Sequence, residues 1–161
     1  MGDRVPLVSY LELGREPGDA HLVVSECARC GARFFDRRVA CAGCGQASFR
    51  PVALPRRGVV RTFTIVSRAA PGIPVPFVAA VVDCGGTSVR ANVVNVAPDP
   101  EHVGTGMPVR LVTFPVGTDA AGTEAVGFGF EPVGPLEPAV GPGAAVPGPS
   151  GGTRPAGGEV A

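Results

Sequence analysis

Residues 27–45, "CARCGARFFDRRVACAGCG", place four of the chain's five cysteines in two Cys-x-x-Cys-Gly units. A Cys-x-x-Cys-Gly unit folds as a tight turn in which the glycine is free to take positive φ, so both thiolates aim at one centre. Two such turns at the ends of a short hairpin build a tetrahedral four-sulfur cage from Cys27, Cys30, Cys41 and Cys44. One structural zinc is the expected occupant, with iron the alternative, because a tetrahedral S4 set suits both metals. A thioredoxin-like redox pair would need a single Cys-x-x-Cys beside a βαβ pattern, and none follows. Two disulfides do not suit a reducing cytosol. A closed four-thiolate shell leaves no position for substrate, so the metal is expected to staple the fold. Cys84, in "VVDCGGTS", stands apart and reads as a small residue at a strand end.

The elements that must hold this cage are mostly extended. Before it, "VPLVSYLELGRE" carries apolar residues at 7, 8, 11 and 13, which predicts one short N-terminal helix. The spacer "GARFFDRRVA" has room for two short strands and a turn. From Gly58 onward five strand-like runs follow, at 58–68, 76–84, 87–96, 107–114 and 124–133, separated by Gly, Pro and Asp turns. "CGGT" between the second and third is a tight hairpin. Five strands without a helical period between them point to a small barrel, and the OB-fold is the common five-stranded one. From Pro132 the text becomes "PVGPLEPAVGPGAAVPGPSGGTRPAGGEVA", 15 Gly or Pro in 30 residues, too poor in apolar surface to offset the entropy of ordering it. The expected protein is thus mostly β. A helical segment over 1–22 precedes a rubredoxin-like zinc ribbon over 23–50, an OB-fold barrel over 51–133 and a disordered Gly/Pro-rich tail over 134–161.

Composition narrows the function. No apolar run reaches the roughly 18 residues of a membrane span, and the N-terminus lacks the apolar stretch of a secretion signal, so a cytoplasmic location is expected. All 14 basic residues are arginine, which excludes lysine-based covalent chemistry. Net charge is zero but unevenly spread. Residues 21–68 hold nine Arg against Glu26 and Asp36, whereas 69–161 hold three Arg against eight acids. A basic module of this kind suits an anionic partner. No nucleophile–base pattern and no phosphate-binding glycine signature stands out, and His102 in "PDPEHVGTG" reads as a solvated loop residue.

The expected short helix, a double Cys-x-x-Cys-Gly ribbon, "GVVRTFTIVSRAAPGIPVPFVAAVVD", "GMPVRLVTF" and a closing "GFGFEPV" follow in that order. Together they resemble the acyl-CoA-associated OB-fold family with an N-terminal rubredoxin-like zinc ribbon, a domain-of-unknown-function family. The resemblance spans roughly residues 7–133. It implies a non-catalytic accessory subunit that forms a hetero-oligomer with a thiolase-like condensing, aldolase or acyltransferase enzyme, or another acyl-CoA enzyme. The setting would be lipid or steroid, aromatic or polyketide metabolism. The long Gly/Pro tail is no part of the family pattern, and no partner-contact residue follows from the motifs.

The residues themselves offer contact candidates. Pro71, Pro74 and Pro76 stiffen the loop "RAAPGIPVPF", so less entropy is lost on binding, Ile73, Val75 and Phe77 supply apolar contact, and Pro74 counts with Ile73 and Phe77 among the contact candidates. Arg50, Arg56, Arg57 and Arg61 form a basic stretch suited to the phosphates of a CoA moiety or to plain solvation. Two other functions stay open: single-stranded nucleic-acid binding, which both ribbons and OB-folds perform, and rubredoxin-like electron transfer. A chain stopped at Val133 is expected to keep its thermal midpoint and its metal, read by calorimetry and metal analysis; a drop of many degrees would place the tail in the fold.

Overall fold

The structure, a computed structural model, describes residues 3–16 and 18–134. Every regular element in it is a strand. They are β1 (Arg4–Pro6), β2 (Leu11–Glu12), β3 (His21–Cys27), β4 (Arg33–Phe34), β5 (Phe49–Ala53), β6 (Arg57–Val66), β7 (Phe77–Cys84), β8 (Thr87–Val93), β9 (Pro108–Thr118) and β10 (Glu124–Pro132).

The last five strands close on themselves. β6 pairs with β7, β7 with β8, β10 with β9 and β9 with β6, all antiparallel. The ring is completed where β10 meets β8 in parallel, at Phe130 opposite Val93. This neighbour order around the ring is that of the five-stranded OB barrel. Alternation drives it: in β7 Val78, Ala80, Val82 and Cys84 are buried, and the residues between them are only partly so. Val60, Val89, Val109, Leu111 and Phe130 fill the interior from the other strands. Gly85 and Gly86, with φ of 60° and 85°, make the two-residue β7–β8 turn, whose twist matches the strands it joins.

The first half of the chain forms a second sheet, β2-β3-β4, with β5 also on β3. "HLVVSEC" alternates too: Leu22, Val24 and Glu26 turn inward, while His21, Val23 and Ser25 are half-exposed. Leu11, Leu22, Val24 and Leu54 join the same buried cluster as the barrel residues, so ribbon and barrel share one core. β1 adds a parallel edge to β10, Arg4 opposite Glu124.

The helix expected in the first 22 residues does not form. The Leu7 amide donates to the Val126 carbonyl, and the Val23 amide to that of Tyr10. These backbone groups serve barrel and ribbon, not an i→i−4 ladder, and one turn (Leu11 N to Val8 O, 3.2 Å) leads directly into β2. Apolar side chains at 8, 10, 11 and 13 still reach the core. The spacer between the cysteine pairs holds one two-residue strand, β4, instead of two, because Phe35 turns onto the core and residues 36–40 run as an exposed loop. The tail from 135 lies outside the described residues, so the disorder expected of it is not addressed by the structure.

In the barrel, Gly58 is held by the space around it. A Cβ on Gly58 would lie 2.6 Å from the Asp83 carbonyl oxygen and 2.9 Å from Cys84 Sγ. Gly58→Val is therefore expected to destabilise the barrel by about 1–3 kcal/mol or more, with Gly58→Ala intermediate, measured by denaturant unfolding. Unchanged midpoints would show that β6 and β7 can part at this end.

Candidate metal centre

The two knuckles repeat one hydrogen-bond pattern. Gly31 N donates to Cys27 O (3.0 Å) and Gly45 N to Cys41 O (2.8 Å); Cys27 N donates to Ala32 O and Cys41 N to Gln46 O, each at 2.8 Å. Gly31 and Gly45 take φ of 73° and 75°, the left-handed conformation that a Cβ would strain. Two near-identical turns thus face one another. Their four Sγ atoms all lie within 4.8 Å, with Cys27 to Cys44 at 3.6 Å and Cys30 to Cys41 at 3.5 Å. Four thiolates around a tetrahedral zinc at ~2.3 Å would stand about 3.8 Å apart, so the cluster fits such an ion with little adjustment.

The thiols differ in acidity. The Cys30 and Arg29 backbone amides draw the Cys27 thiol down to about 6. At Cys44 the Gln46 amide pulls in the same direction, but burial and the Cys30, Cys27 and Cys41 thiols outweigh it and push the group up to about 12. Sulfurs this close resist becoming thiolates together unless a cation compensates them, which links metal uptake to proton release.

Beside the cluster sits an ion pair that sequence reasoning passed over. Glu26, only 7% exposed, receives Arg33 Nε (2.8 Å) on one oxygen and Arg50 on the other. The Arg50 and Arg33 guanidiniums hold its carboxyl below the usual carboxylate range. Arg33 also donates through Nη1 to Gly85 O (3.1 Å) and Thr87 Oγ1 (3.3 Å), at the β7–β8 turn. One guanidinium therefore joins the residue preceding the first metal-site cysteine to the barrel. The signal was present in the text: Glu26 is one of only two acids among nine arginines in residues 21–68.

The other candidates disperse. Arg57 and Arg61 line one groove of about 620 Å³ with Val59, Thr105, Gly106 and Pro108. Arg61 already pairs with Asp83, and Arg50 with Glu26, so two of the four arginines of the basic stretch carry a carboxylate. Arg56 is exposed, and its carbonyl accepts from Leu111 N. Ile73 (52% exposed) and Pro74 lie in the β6–β7 loop, and Phe77 begins β7, half-buried and opposite Val66. A second groove, of about 460 Å³, crosses β6 to β8 over Ala79, Val81 and Ala91, with Arg90 at its side.

Cys84 is fully buried, and burial pushes its thiol up to about 11, which keeps it protonated. Asp99, Glu101 and His102 also come together, but Asp99 Oδ1 is occupied by the Glu101 and His102 amides and by His102 Nδ1 at 2.7 Å. That cluster is a loop cap.

Removing Arg33 tests the link between ribbon and barrel. Arg33→Ala is expected to lower the thermal midpoint and to speed amide exchange at 85–88 without stripping the metal. A carboxyl with a lowered folded pKa stabilises above its unfolded pKa and loses that stabilisation as pH falls through the folded one. The gap between wild type and variant should therefore be widest near neutrality and narrow in acid. An equal gap at every pH would mean that the contribution is not ionic.

Comparisons with known proteins bear on this arrangement. Residues 51–114 match the family model for the C-terminal OB-fold domain of ChsH2. Among solved structures, the chain is similar to the Ltp2-ChsH2(DUF35) aldolase, at 26% identity and a TM-score of 0.57, over 70% of this chain and 84% of that one. No curated protein sequence matches. The resemblance expected from the ribbon-then-barrel order is thus met in the barrel, where residues 51–114 are similar to the OB-fold domain of ChsH2.

Proposed function

We propose that this chain is a non-catalytic, zinc-binding accessory subunit of a thiolase-like enzyme acting on acyl-CoA or related acyl substrates. The observation that carries the reading is the likeness of the chain, over 70% of its length, to the Ltp2-ChsH2(DUF35) aldolase, with residues 51–114 matching the ChsH2 OB-fold domain. The partner enzyme would be a condensing enzyme, aldolase or acyltransferase, and the substrate a lipid, steroid, aromatic or polyketide acyl group.

Cys27, Cys30, Cys41 and Cys44 would hold one zinc, which supplies a cross-link between the two knuckles and, with four thiolates bound, offers no site for substrate. The side chains of this chain favour support over turnover. His102 is engaged by Asp99, and His21 lies between the Asp19 carbonyl and Glu12. Contact with the enzyme would come from the stiffened loop around Ile73 and Pro74, with Phe77 at its end, and from Arg56, just before β6, with Arg57 and Arg61 on it. Residues 23–50 and 51–133 serve as the working division into ribbon and barrel.

The test is reconstitution. The purified chain is expected to carry about one zinc, to lose it on Cys41→Ser, and to turn over no acyl-CoA alone. With its cognate thiolase-like enzyme it should form a stable hetero-oligomer and raise that enzyme's activity, and Ile73→Asp should weaken the complex without releasing metal. Stoichiometric iron in protein from the native host would overturn the zinc assignment, and robust turnover by the chain alone would overturn the accessory role.

A further inference from the structure

Of the five cysteines only Cys30 is exposed; Cys27, Cys41 and Cys84 are buried, and Cys44 is half-buried. The Cys30 sulfur lies 3.5 Å from that of buried Cys41, across the gap between the two knuckles. The other short contact also crosses that gap, from Cys27 to Cys44 at 3.6 Å. We propose that the Cys30–Cys41 edge of the cage is a peroxide-sensitive site, at which hydrogen peroxide exchanges the metal for a disulfide between the knuckles. This inference rests on the zinc-binding reading of the four thiolates.

Gly43 leaves that edge uncovered. It is exposed, and its amide donates to Cys41 Sγ at 3.3 Å. A Cβ on it would lie 3.6 Å from Cys30 Sγ and 3.7 Å from Cys41 Sγ, in ordinary van der Waals contact with both. After the sulfurs, the next side chain near that point is only the methyl of Ala32, at 4.0 Å. The backbone does not require a glycine here, since Gly43, unlike Gly31 and Gly45, takes no positive φ. Its lack of a side chain therefore opens a path to two sulfurs that a larger residue would narrow.

The chemistry follows from thiolate character and access. The Cys30 thiolate attacks a peroxide oxygen, the O–O bond breaks, and a sulfenic acid forms. The departing hydroxide takes a proton to become water. The Cys41 thiolate then attacks the Cys30 sulfur; the S–S bond forms, the S–O bond breaks, and a second hydroxide leaves as water. Two thiolates have given two electrons to one peroxide, which with two protons has become two waters. Cys27 and Cys44 are then the only thiolates left, too few to close a tetrahedral shell, so the cage releases its zinc. The new bond joins the two knuckles and keeps the ribbon cross-linked. A bond within either Cys-x-x-Cys unit would leave the knuckles unconnected.

The experiment treats zinc-loaded full-length chain with hydrogen peroxide. Zinc release is followed with a chromophoric chelator, and disulfides are mapped by mass spectrometry after free thiols are blocked. About one zinc per chain is expected to leave in step with a Cys30–Cys41 disulfide, which appears first, while buried Cys84 stays a free thiol. Dithiothreitol with added zinc should restore the cage. Gly43→Ala is expected to keep wild-type zinc content and thermal midpoint and to slow the release severalfold, because its methyl covers the edge. Disulfides confined to Cys27–Cys30 and Cys41–Cys44 would overturn the assignment. So would zinc retained after an equimolar small thiol in the same solution has been oxidised. Equal release rates from wild type and Gly43→Ala would overturn the opening at Gly43. A chain that purifies without zinc, before any peroxide is added, would refute the zinc-binding reading and this inference with it.

Discussion

Glu26 takes two arginines on one nearly buried carboxylate, and the union of the two halves depends on that contact. Alone, a charge at this depth would strongly oppose folding. Arg50 comes from β5 and Arg33 from β4, so the carboxylate ties together the two strands that flank β3. Because Arg33 goes on to Gly85 and Thr87, the same charge also fixes where the ribbon meets the barrel. Leu11, Leu22, Val24 and Leu54 supply the apolar part of that junction. The polar contact gives it direction, since a guanidinium fork accepts few geometries.

Between this clamp and the cysteine cluster there is no intervening residue: Glu26 is followed by Cys27. A change at the cage therefore reaches the β7–β8 turn through covalent bonds and two hydrogen-bonded links. Asp83, at the other end of that turn, takes the Gly86 amide on one oxygen and Arg61 on the other. The cysteine cluster, the turn and the Arg57–Arg61 groove thus form one chain of neighbours.

Much of this was legible in the sequence. The barrel strands were readable because their alternation is strict and Gly or Pro breaks them, and the four cysteines because their spacing admits few other geometries. The first 22 residues were misread for a physical reason. Apolar positions at 7, 8, 11 and 13 fit a helical stripe, but the backbone amides of this segment are claimed by partners over 10 to 100 residues away, which periodicity does not encode. The Glu26 clamp was missed because an acid before a cysteine looks like surface. Its burial follows from the alternation of "HLVVSEC", in which position 26 falls on the inward face with Leu22 and Val24. Conversely, the basic stretch looked like one patch, and the fold divides it between carboxylate-bound and free arginines.

The pairing of β1 with β10 bears on how the chain is made. The third to sixth residues of the sequence finish the sheet at its last strand, so Arg4 waits for Glu124. The β6–β9 and β8–β10 contacts are similarly remote in sequence. A ribosome delivering this chain N-terminus first can release a ribbon that gathers its cysteines early, from residues 27–44. The barrel must wait until β10 has emerged. Folding should then proceed in two unequal episodes, a local one around the cysteine knuckles and a late one paced by loop closure over long separations. During the interval β1 has no partner, and β6 to β8 stand as an open sheet with an unguarded edge.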